Sequence, residues 1–255
     1  MAQLAISCAI ISTLLARATD RKMSAFEDNL TTYVKKVFKD AWSERDGQVV
    51  PDAGDLILGN EGVRFDRATI LYADLSGSTK LVETTNWSFA AEIYKTYLHC
   101  ATKIIKDEGG VVTSYDGDRV MGVFIGKSQT TPAARAGLKI NYAVQKIVNP
   151  AMHAQYNTNY NVVQVVGIDT SEVRVARTGA RGDNDLVWVG RAANYAAKLT
   201  ELKLGERTWV TKEAYDYMVD DIKKGGSPKR EMWKPYKWSQ MDDNQIYGSA
   251  WTWKV

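Results

Sequence analysis

The sequence predicts an α+β domain in which a central, mostly antiparallel sheet is flanked by helices and preceded by an N-terminal helix. Segments with strand alternation and segments with the three- and four-residue spacing of helices follow one another along most of the chain. Asp116-Gly117 lies between two β-prone runs, which is a strong hairpin signal. A polar stretch over 43–55, with Gly47, Pro51 and Gly54, interrupts the pattern near its start.

The first predicted element is an amphipathic helix. Apolar residues recur at helical intervals from Ser24 to Trp42 among Lys, Asp and Glu. The polar stretch after it is interpreted as a linker, so residues 1–55 form an N-terminal helical segment with linker and residues 56–255 form the main domain. At 255 residues, 45% of them hydrophobic, the chain can bury one substantial core.

The patterns predict the elements of the main domain in order. They are a strand at Arg67–Ala73, a helix at Trp87–Lys106, a hairpin at Val111–Ile125, a helix at Thr131–Val148, two strands at Val162–Ile168 and Glu172–Arg177 around Asp169-Thr170-Ser171, a strand at Leu186–Val189, a helix at Arg191–Leu202 and a final strand near Ile246–Trp253. Cys100 shares the apolar face of its predicted helix and is interpreted as a core thiol.

The net charge and the apolar N-terminal segment argue against a nucleic-acid-binding protein and against a membrane span. Lys and Arg total 33 against 30 Asp and Glu, and a net charge of +3 is too small and too evenly spread for a nucleic-acid partner. The apolar run Met1–Ala16 lacks a basic start and is shorter than the roughly 20 residues of a membrane span. No membrane span is predicted, and a docking helix and a wrongly assigned start codon both stay open for this run. Cys8 and Cys100 form no disulfide or metal pattern.

Two carboxylates are predicted at strand ends. Asp74 closes an apolar strand and is followed by Gly77, Ser78 and Thr79, a turn whose N–H groups can meet phosphate oxygens. Asp118 lies at the tip of the hairpin. Each carboxylate alone would be interpreted as a turn residue. Together they match the preference of Mg²⁺ for one or two carboxylates plus phosphate oxygens.

From about residue 64 to 210, motif order and spacing resemble the class III nucleotidyl cyclases, whose catalytic core is ferredoxin-like. The motifs are Leu71–Thr79, Gly117-Asp118 and Val189–Leu199. The resemblance implies that Asp74 and Asp118 hold two divalent metal ions, Mn²⁺ or Mg²⁺, with the Leu75 carbonyl as a further ligand. It implies that Gly77, Ser78 and Thr79 bind the triphosphate.

The same resemblance implies roles for two positions of the motif Val189–Leu199. Asn194 would orient the ribose, and the residue four positions later is normally an Arg that stabilises charge on the phosphoryl group. This sequence has Lys198, which keeps the charge but loses the bidentate fork. Either Lys198 serves, or Arg191 or Arg181 reaches the substrate. The family pattern also implies a head-to-tail homodimer with active sites at its interface.

The base-reading positions depart from both purine patterns. Purine-specific relatives carry polar residues four positions before the second metal Asp and seven before the Asn, where this chain has Ser114 and Val187. The compact layout and the Asp-Gly-Asp-Arg hairpin resemble the bacterial antiviral pyrimidine cyclases of the Pycsar type. UTP is therefore favoured and CTP comes next, with Tyr115, Arg119 and Trp188 as candidate base contacts.

The resemblance further implies a cyclic mononucleotide second messenger in anti-phage defence, made in the cytoplasm and detected by a separate effector protein. Three alternatives are an adenylate cyclase, a diguanylate cyclase and a non-catalytic nucleotide-binding module. The missing Glu after Asp118 counts against the second, and Lys198 prompts the third. His99 and His153 belong to no motif.

Overall fold

The computed structural model describes Lys22 and residues 24–255. The expectations for Met1–Ala16 and for Cys8 lie outside these residues. The first half of the described chain contains helix α1 over 24–39, strands β1 (Ser43–Asp46) and β2 (Glu61–Ser76), helices α2 (Ser78–Thr84) and α3 (Trp87–Asp107), strands β3 (Val111–Asp116) and β4 (Arg119–Phe124), and helices α4 (Thr130–Ala143) and α5 (Asn149–Gln155).

The second half contains β5 (Val163–Ala180), β6 (Asp183–Val189), α6 (Arg191–Leu199), β7 (Thr208–Thr211), α7 (Lys212–Asp216), α8 (Asp220–Lys223), β8 (Lys224–Gly225), β9 (Arg230–Glu231), β10 (Lys234–Trp238) and β11 (Asn244–Ser249). A π-helix over Val144–Val148 joins α4 to α5, and short 3₁₀ helices lie at Ala53–Asp55 and Ser239–Met241.

One nine-stranded sheet organises these elements. Its strand order is β10-β11-β7-β5-β2-β4-β3, while β1 pairs with the first half of β2 and β6 with the second half of β5. Two pairings, β1 with β2 and β5 with β7, are parallel and the others are antiparallel. The predicted α+β class, with a mostly antiparallel sheet, flanking helices and an N-terminal helix, is confirmed.

The prediction of two strands around Asp169-Thr170-Ser171 is wrong. Residues 163–180 form one continuous strand, paired with β2 on both sides of a bulge between Phe65 and Ala68. Two of the three polar side chains that suggested a turn are buried and have partners within the fold: Thr170 bonds to Thr69, and Asp169 accepts from Arg191. Tertiary contacts thus replace the local hydrogen bonds that a turn would have supplied.

The interpretation of Ser43–Asp55 as linker is also corrected by the structure. Ser43–Asp46 forms β1, in parallel register with Glu61–Arg64, and Leu56 is buried. An exposed strand can be polar when its side chains pair across the sheet, as Glu44 does with Arg174 and Asp46 with Arg64. The division of the chain at residue 56 stays a prediction.

Other boundaries shift while the element types hold. The strand expected at Arg67–Ala73 is the middle of β2, and the helix expected at Thr131–Val148 ends as a π-helix. Helix α6 ends at Leu199 and β11 at Ser249, both earlier than expected.

Helices α3 and α4 cover one face of the sheet, and α6 packs on the other. Gly167 on β5 permits the close approach of α6. A Cβ at this position would lie 2.1 Å from the carbonyl oxygen of Ala196 and 2.7 Å from Cβ of Leu199. The absence of a side chain at Gly167 therefore sets the height of α6, and with it the positions of Asn194 and Lys198.

Helix α1 extends from this body with its apolar side exposed. Phe26, Leu30, Tyr33, Val34 and Phe38 are between 48% and 86% exposed. Its end is anchored by the side-chain amide of Asn60, which donates to the carbonyl oxygens of Val37 and Asp40 at 2.8 and 2.7 Å. None of the helices in the described part of the chain combines the length and the apolarity that crossing a bilayer requires.

Candidate active site

Asp74 lies at the end of β2, where the chain turns into α2. It pairs with Arg119 on β4 and with Val165 on β5. Gly77 caps α2 with φ of 78°, a left-handed conformation that favours glycine. Because the first N–H groups of a helix have no partner within that helix, those of Ser78 and Thr79 are able to donate to other groups.

Asp118 lies in the turn between β3 and β4, beside Gly117 at φ of 60°. One of its carboxylate oxygens, Oδ2, is buried and has no hydrogen-bond partner among the described residues. The adjacent Arg119 bonds to Asp116 at 3.2 Å and holds its guanidinium 5.4 Å from the ring centroid of Tyr72. Asp118 is thus left without a donor although a cation follows it in the chain.

The two carboxylates influence each other. Burial first, and then the charge of Asp118, raises the pKa of Asp74 to about 6, against a smaller opposing effect of Arg119. A partly buried pair of like charges with an unsatisfied oxygen suits a divalent cation, because the cation cancels the repulsion and completes the oxygen's coordination. The structure thus brings the two predicted metal carboxylates together.

A cavity of about 380 Å³ lies on the α6 side of the sheet. It gathers three residues predicted from sequence, Ser114 on β3, Val187 on β6 and Asn194 on α6. Its lining includes neither Asp74 nor Asp118. One chain therefore presents two half-sites, a carboxylate half-site at Asp74 and Asp118 and a cavity half-site around Asn194.

Sequence reasoning missed part of the cavity lining. Tyr72, Thr178 and Asp185 also face it. Asp185 precedes Val187 by two residues on β6, so strand alternation places both on one face, and this spacing could have identified it. Tyr72 and Thr178 come from other strands and had no such local signal.

The candidate base contacts occupy different places. Trp188 lines the cavity and stacks on Phe65, with ring centroids 6.1 Å apart. The hydroxyl of Tyr115 pairs with that of Thr102 on α3 at 2.8 Å, so this side chain is directed away from the cavity. Arg119 is outside the cavity lining but lies beside Tyr72, which does line the cavity.

The three basic side chains considered for stabilising charge on the phosphoryl group differ in their contacts. Arg191, at the start of α6, bonds to Asp169 at 3.0 Å, to the carbonyl of Thr170 at 2.7 Å and to Glu213. Arg181 lies exposed in the turn between β5 and β6. Lys198, one turn after Asn194, has its ammonium 3.7 Å from the sulfur of Met241 and forms no ion pair with any described residue. The positive charge of Lys198 is therefore not offset by any described carboxylate.

The two histidines lie outside both half-sites. His99 is exposed on α3, and His153 lies on α5 with its Nε2 2.7 Å from the carbonyl oxygen of Tyr160. Cys100 is half-buried against the core beneath α3, and burial raises the pKa of its thiol.

Two known proteins are similar in sequence to this chain over most of its length. A uridylate cyclase of Burkholderia cepacia is 49% identical over 232 residues, which are 91% of this chain and 100% of that protein. A uridylate cyclase of Xanthomonas perforans is also 49% identical, over 90% of this chain and 98% of its own. No protein-family model matches the chain.

The fold has counterparts among solved structures. The adenylyl cyclase CyaB of P. aeruginosa matches with a TM-score of 0.63 and 23% identity, over 74% of this chain and 95% of that one. At this identity the match shows the fold, while the uridylate cyclases show the family. The chain accordingly belongs to the uridylate cyclase family of class III nucleotidyl cyclases and is a nucleotidyl cyclase.

Proposed function

We propose that the chain converts UTP, and less efficiently CTP, to the 3′,5′-cyclic monophosphate and pyrophosphate with the aid of divalent metal ions. The observation that carries the proposal is the cavity lined by Ser114, Asp185 and Asn194. The names of the relatives from Burkholderia cepacia and Xanthomonas perforans support the same substrate.

The preference for uracil follows from hydrogen-bond polarity. Uracil presents an N3–H donor between two carbonyl oxygens, whereas N3 of cytosine is an acceptor. One oxygen of Asp185 accepts from the backbone N–H of Leu186 at 2.7 Å, which leaves the other oxygen able to accept from a base. The Ser114 hydroxyl can donate to a uracil carbonyl. A carboxylate that faces an acceptor would instead repel cytosine.

The carboxylate half-site would hold the metal ions, Mn²⁺ or Mg²⁺, through Asp74, Asp118 and the Leu75 carbonyl. The unsatisfied buried oxygen of Asp118 and the raised pKa of Asp74 are the features that fit such ions. Bound ions supply Lewis acidity, which lowers the pKa of the ribose 3′-hydroxyl and stabilises the departing pyrophosphate.

Other residues bind and orient the substrate. The N–H groups of the turn at Gly77, Ser78 and Thr79 donate to the phosphate oxygens, and the side-chain amide of Asn194 orients the ribose. Lys198 neutralises charge on the α-phosphate as a point charge instead of a bidentate fork. Arg191 is already engaged by Asp169 and Glu213, which favours Lys198 for this role.

A complete site requires a second copy of the chain. The carboxylates and the cavity do not share a lining within one chain. A head-to-tail homodimer would bring the carboxylates of one protomer to the cavity of its partner, in two sites. Mixing Asp118→Asn with Asn194→Ala, each inactive alone, should then restore up to about a quarter of wild-type turnover if the chains assort at random. Failure to complement would contradict this arrangement.

The product would act as a second messenger in anti-phage defence, made in the cytoplasm and bound by a separate effector protein. This part of the proposal is supported by the resemblance to the Pycsar cyclases.

The substrate assignment is tested by incubating the purified protein with Mn²⁺ and each of ATP, GTP, CTP and UTP separately, with product masses identified. Cyclic UMP is expected as the main product. Cyclic AMP as the main product would contradict the pyrimidine assignment, and no product from any triphosphate would favour a non-catalytic nucleotide-binding module.

The variant Asp185→Asn tests the base contact. Its amide can donate to N3 of cytosine, so the ratio of kcat/KM for UTP to that for CTP should fall at least about tenfold, equivalent to one good hydrogen bond. Asp183→Asn, on the same strand but outside the cavity lining, is the matched control and should leave the ratio unchanged. An unaltered ratio in Asp185→Asn would exclude this residue as the base contact.

A further inference from the structure

Tyr97 is a buried tyrosine on α3 with an unused hydroxyl. Its side chain is 0% exposed and packs in the core that includes Leu75, next to Asp74, and Val120, close to Asp118. The hydroxyl has no hydrogen-bond partner among the described residues. A buried hydroxyl without a partner lowers stability, so its presence here calls for a role beyond packing.

The carboxylate half-site contains a matching unsatisfied group. Oδ2 of Asp118 is a buried acceptor without a donor, and the hydroxyl of Tyr97 is a buried donor without an acceptor. Helix α3 packs against β2 and β4, the strands next to the two carboxylates, and Tyr97 shares one core cluster with Leu75 and Val120. In agreement with this packing, the charges of Asp74 and then Asp118 add to burial in raising the pKa of Tyr97. Donor and acceptor therefore lie behind the same carboxylate site.

We propose that Tyr97 is a positioning residue for the metal site: its hydroxyl would donate to Oδ2 of Asp118 and so fix the orientation in which this carboxylate holds a divalent cation. The inference rests on the proposed function, in which Asp118 is a metal ligand. A neutral donor suits this task. Lys or Arg in this place would cancel the negative charge that attracts the cation. The tyrosine hydroxyl is neutral, so it fixes the carboxylate and leaves that charge intact.

A purely structural Tyr97 predicts a different result. If the hydroxyl only fills space, its removal relieves an unsatisfied group, so Tyr97→Phe should unfold at a higher urea concentration and bind Mn²⁺ like the wild type. A positioning Tyr97 predicts weaker Mn²⁺ binding in a protein that is folded at least as stably. Metal affinity thus separates the two roles, and the urea measurement shows that a weaker affinity does not come from a less stable fold.

The experiment measures Mn²⁺ binding calorimetrically without nucleotide and then the Mn²⁺ dependence of turnover. Tyr97→Phe should weaken Mn²⁺ binding about tenfold, the lower end of the range for residues that support a ligand, while KM for UTP at saturating Mn²⁺ changes less than about twofold. Tyr94→Phe, half-buried on the same helix, should match the wild type. Tyr97→Met, which also lacks a donor, should reproduce the phenylalanine result.

Each outcome decides the question. Wild-type Mn²⁺ affinity in Tyr97→Phe, with affinity lost in Asp118→Asn, overturns the role of Tyr97 and leaves the proposed function intact. Equal losses in Tyr94→Phe and Tyr97→Phe would show a general effect of α3 and would also overturn it. Absence of Mn²⁺ binding in the wild type would overturn the metal site itself, and the proposal for Tyr97 with it.

Discussion

A single carboxylate on β5 and a pair of carboxylates near the end of the neighbouring β2 differ in the charge of the groups around them. Asp169 on β5 is fully buried, and it accepts hydrogen bonds from Arg191 and Thr211. Asp74 on the adjacent β2 faces the like charge of Asp118, whose buried Oδ2 has no donor among the described residues. All three are acidic residues in or next to strands. Among the described residues only Asp169 of the three forms an ion pair with an element other than its own turn, whereas the partners of Asp74 are the Leu75 backbone and the Thr200 side chain.

The difference distinguishes a structural carboxylate from a ligand-binding one. Burying a carboxylate is unfavourable unless opposite charge and donors accompany it. At Asp169 the chain supplies them, so this residue fastens α6 to β5 through Arg191. At Asp74, burial and the like charge of Asp118 outweigh the charge of Arg119 and the hydrogen bonds from Leu75 and Thr200, so the surroundings disfavour a second negative charge. Proximity to a strand end therefore says less about function than the set of partners does.

The largest effect that would test this comparison is expected for Asp118→Asn. Turnover of UTP with Mn²⁺ should fall at least about 10³-fold, since several kcal/mol of transition-state charge stabilisation is lost. Metal-free protein should unfold at the same or a higher urea concentration, because repulsion with Asp74 is removed. Asp116→Asn, in the same hairpin, is the control. Near-normal turnover in Asp118→Asn would contradict the metal assignment.

A smaller effect of a different kind is expected for Asp169→Asn. The free energy of unfolding should decrease by about 3 kcal/mol, the lower end for a buried pair that loses one partner, because Arg191 is partly exposed and keeps Glu213. Mn²⁺ binding should persist. Urea unfolding and calorimetry measure both, with the exposed Glu172→Gln as control. Loss of Mn²⁺ binding without loss of stability would contradict the structural role given to Asp169.

The smallest effect concerns pH. The pKa of Asp74 is raised from 3.8 to about 6, so the folded, metal-free protein holds a proton there that the unfolded chain releases. Metal-free stability should therefore decline as pH rises from about 4 to about 6. Mn²⁺ must displace this proton, so its affinity should rise about tenfold per pH unit below about pH 6 and level off above. Calorimetric titrations across this range measure the slope, and a constant affinity would contradict it.

Much of the fold was predictable because its signals are local. The Asp-Gly turn of the β3–β4 hairpin and the apolar spacing of α3 each depend on a few neighbouring residues. Strand β1 was missed because its polar side chains gain partners such as Arg64 and Arg174 only within the sheet. Strand β5 was divided for the same reason, since the partners of Asp169 lie on other elements.

The candidate site has local signals of the same kind. Asp74, Asp118 and Asn194 lie in motifs within short stretches of sequence, and Ser114 and Val187, which the family resemblance pointed to, line one cavity with Asn194. The contribution of Asp185 needed the strand face of β6, and that of Tyr97 needed the packing of α3 against the sheet.

Periodicity and motif spacing are properties of neighbouring residues, so helices α3, α4 and α6, the β3–β4 hairpin, the two carboxylates and the resemblance to the cyclases could be predicted without the structure. The tertiary structure alone decided which carboxylate is neutralised and which is left unsatisfied, and which cation is engaged and which is available. Asp169 and Arg191 are 22 positions apart, so their pairing depends on how α6 packs against β5. Burial and pairing are properties of the folded chain, and the chemistry of this site depends on both.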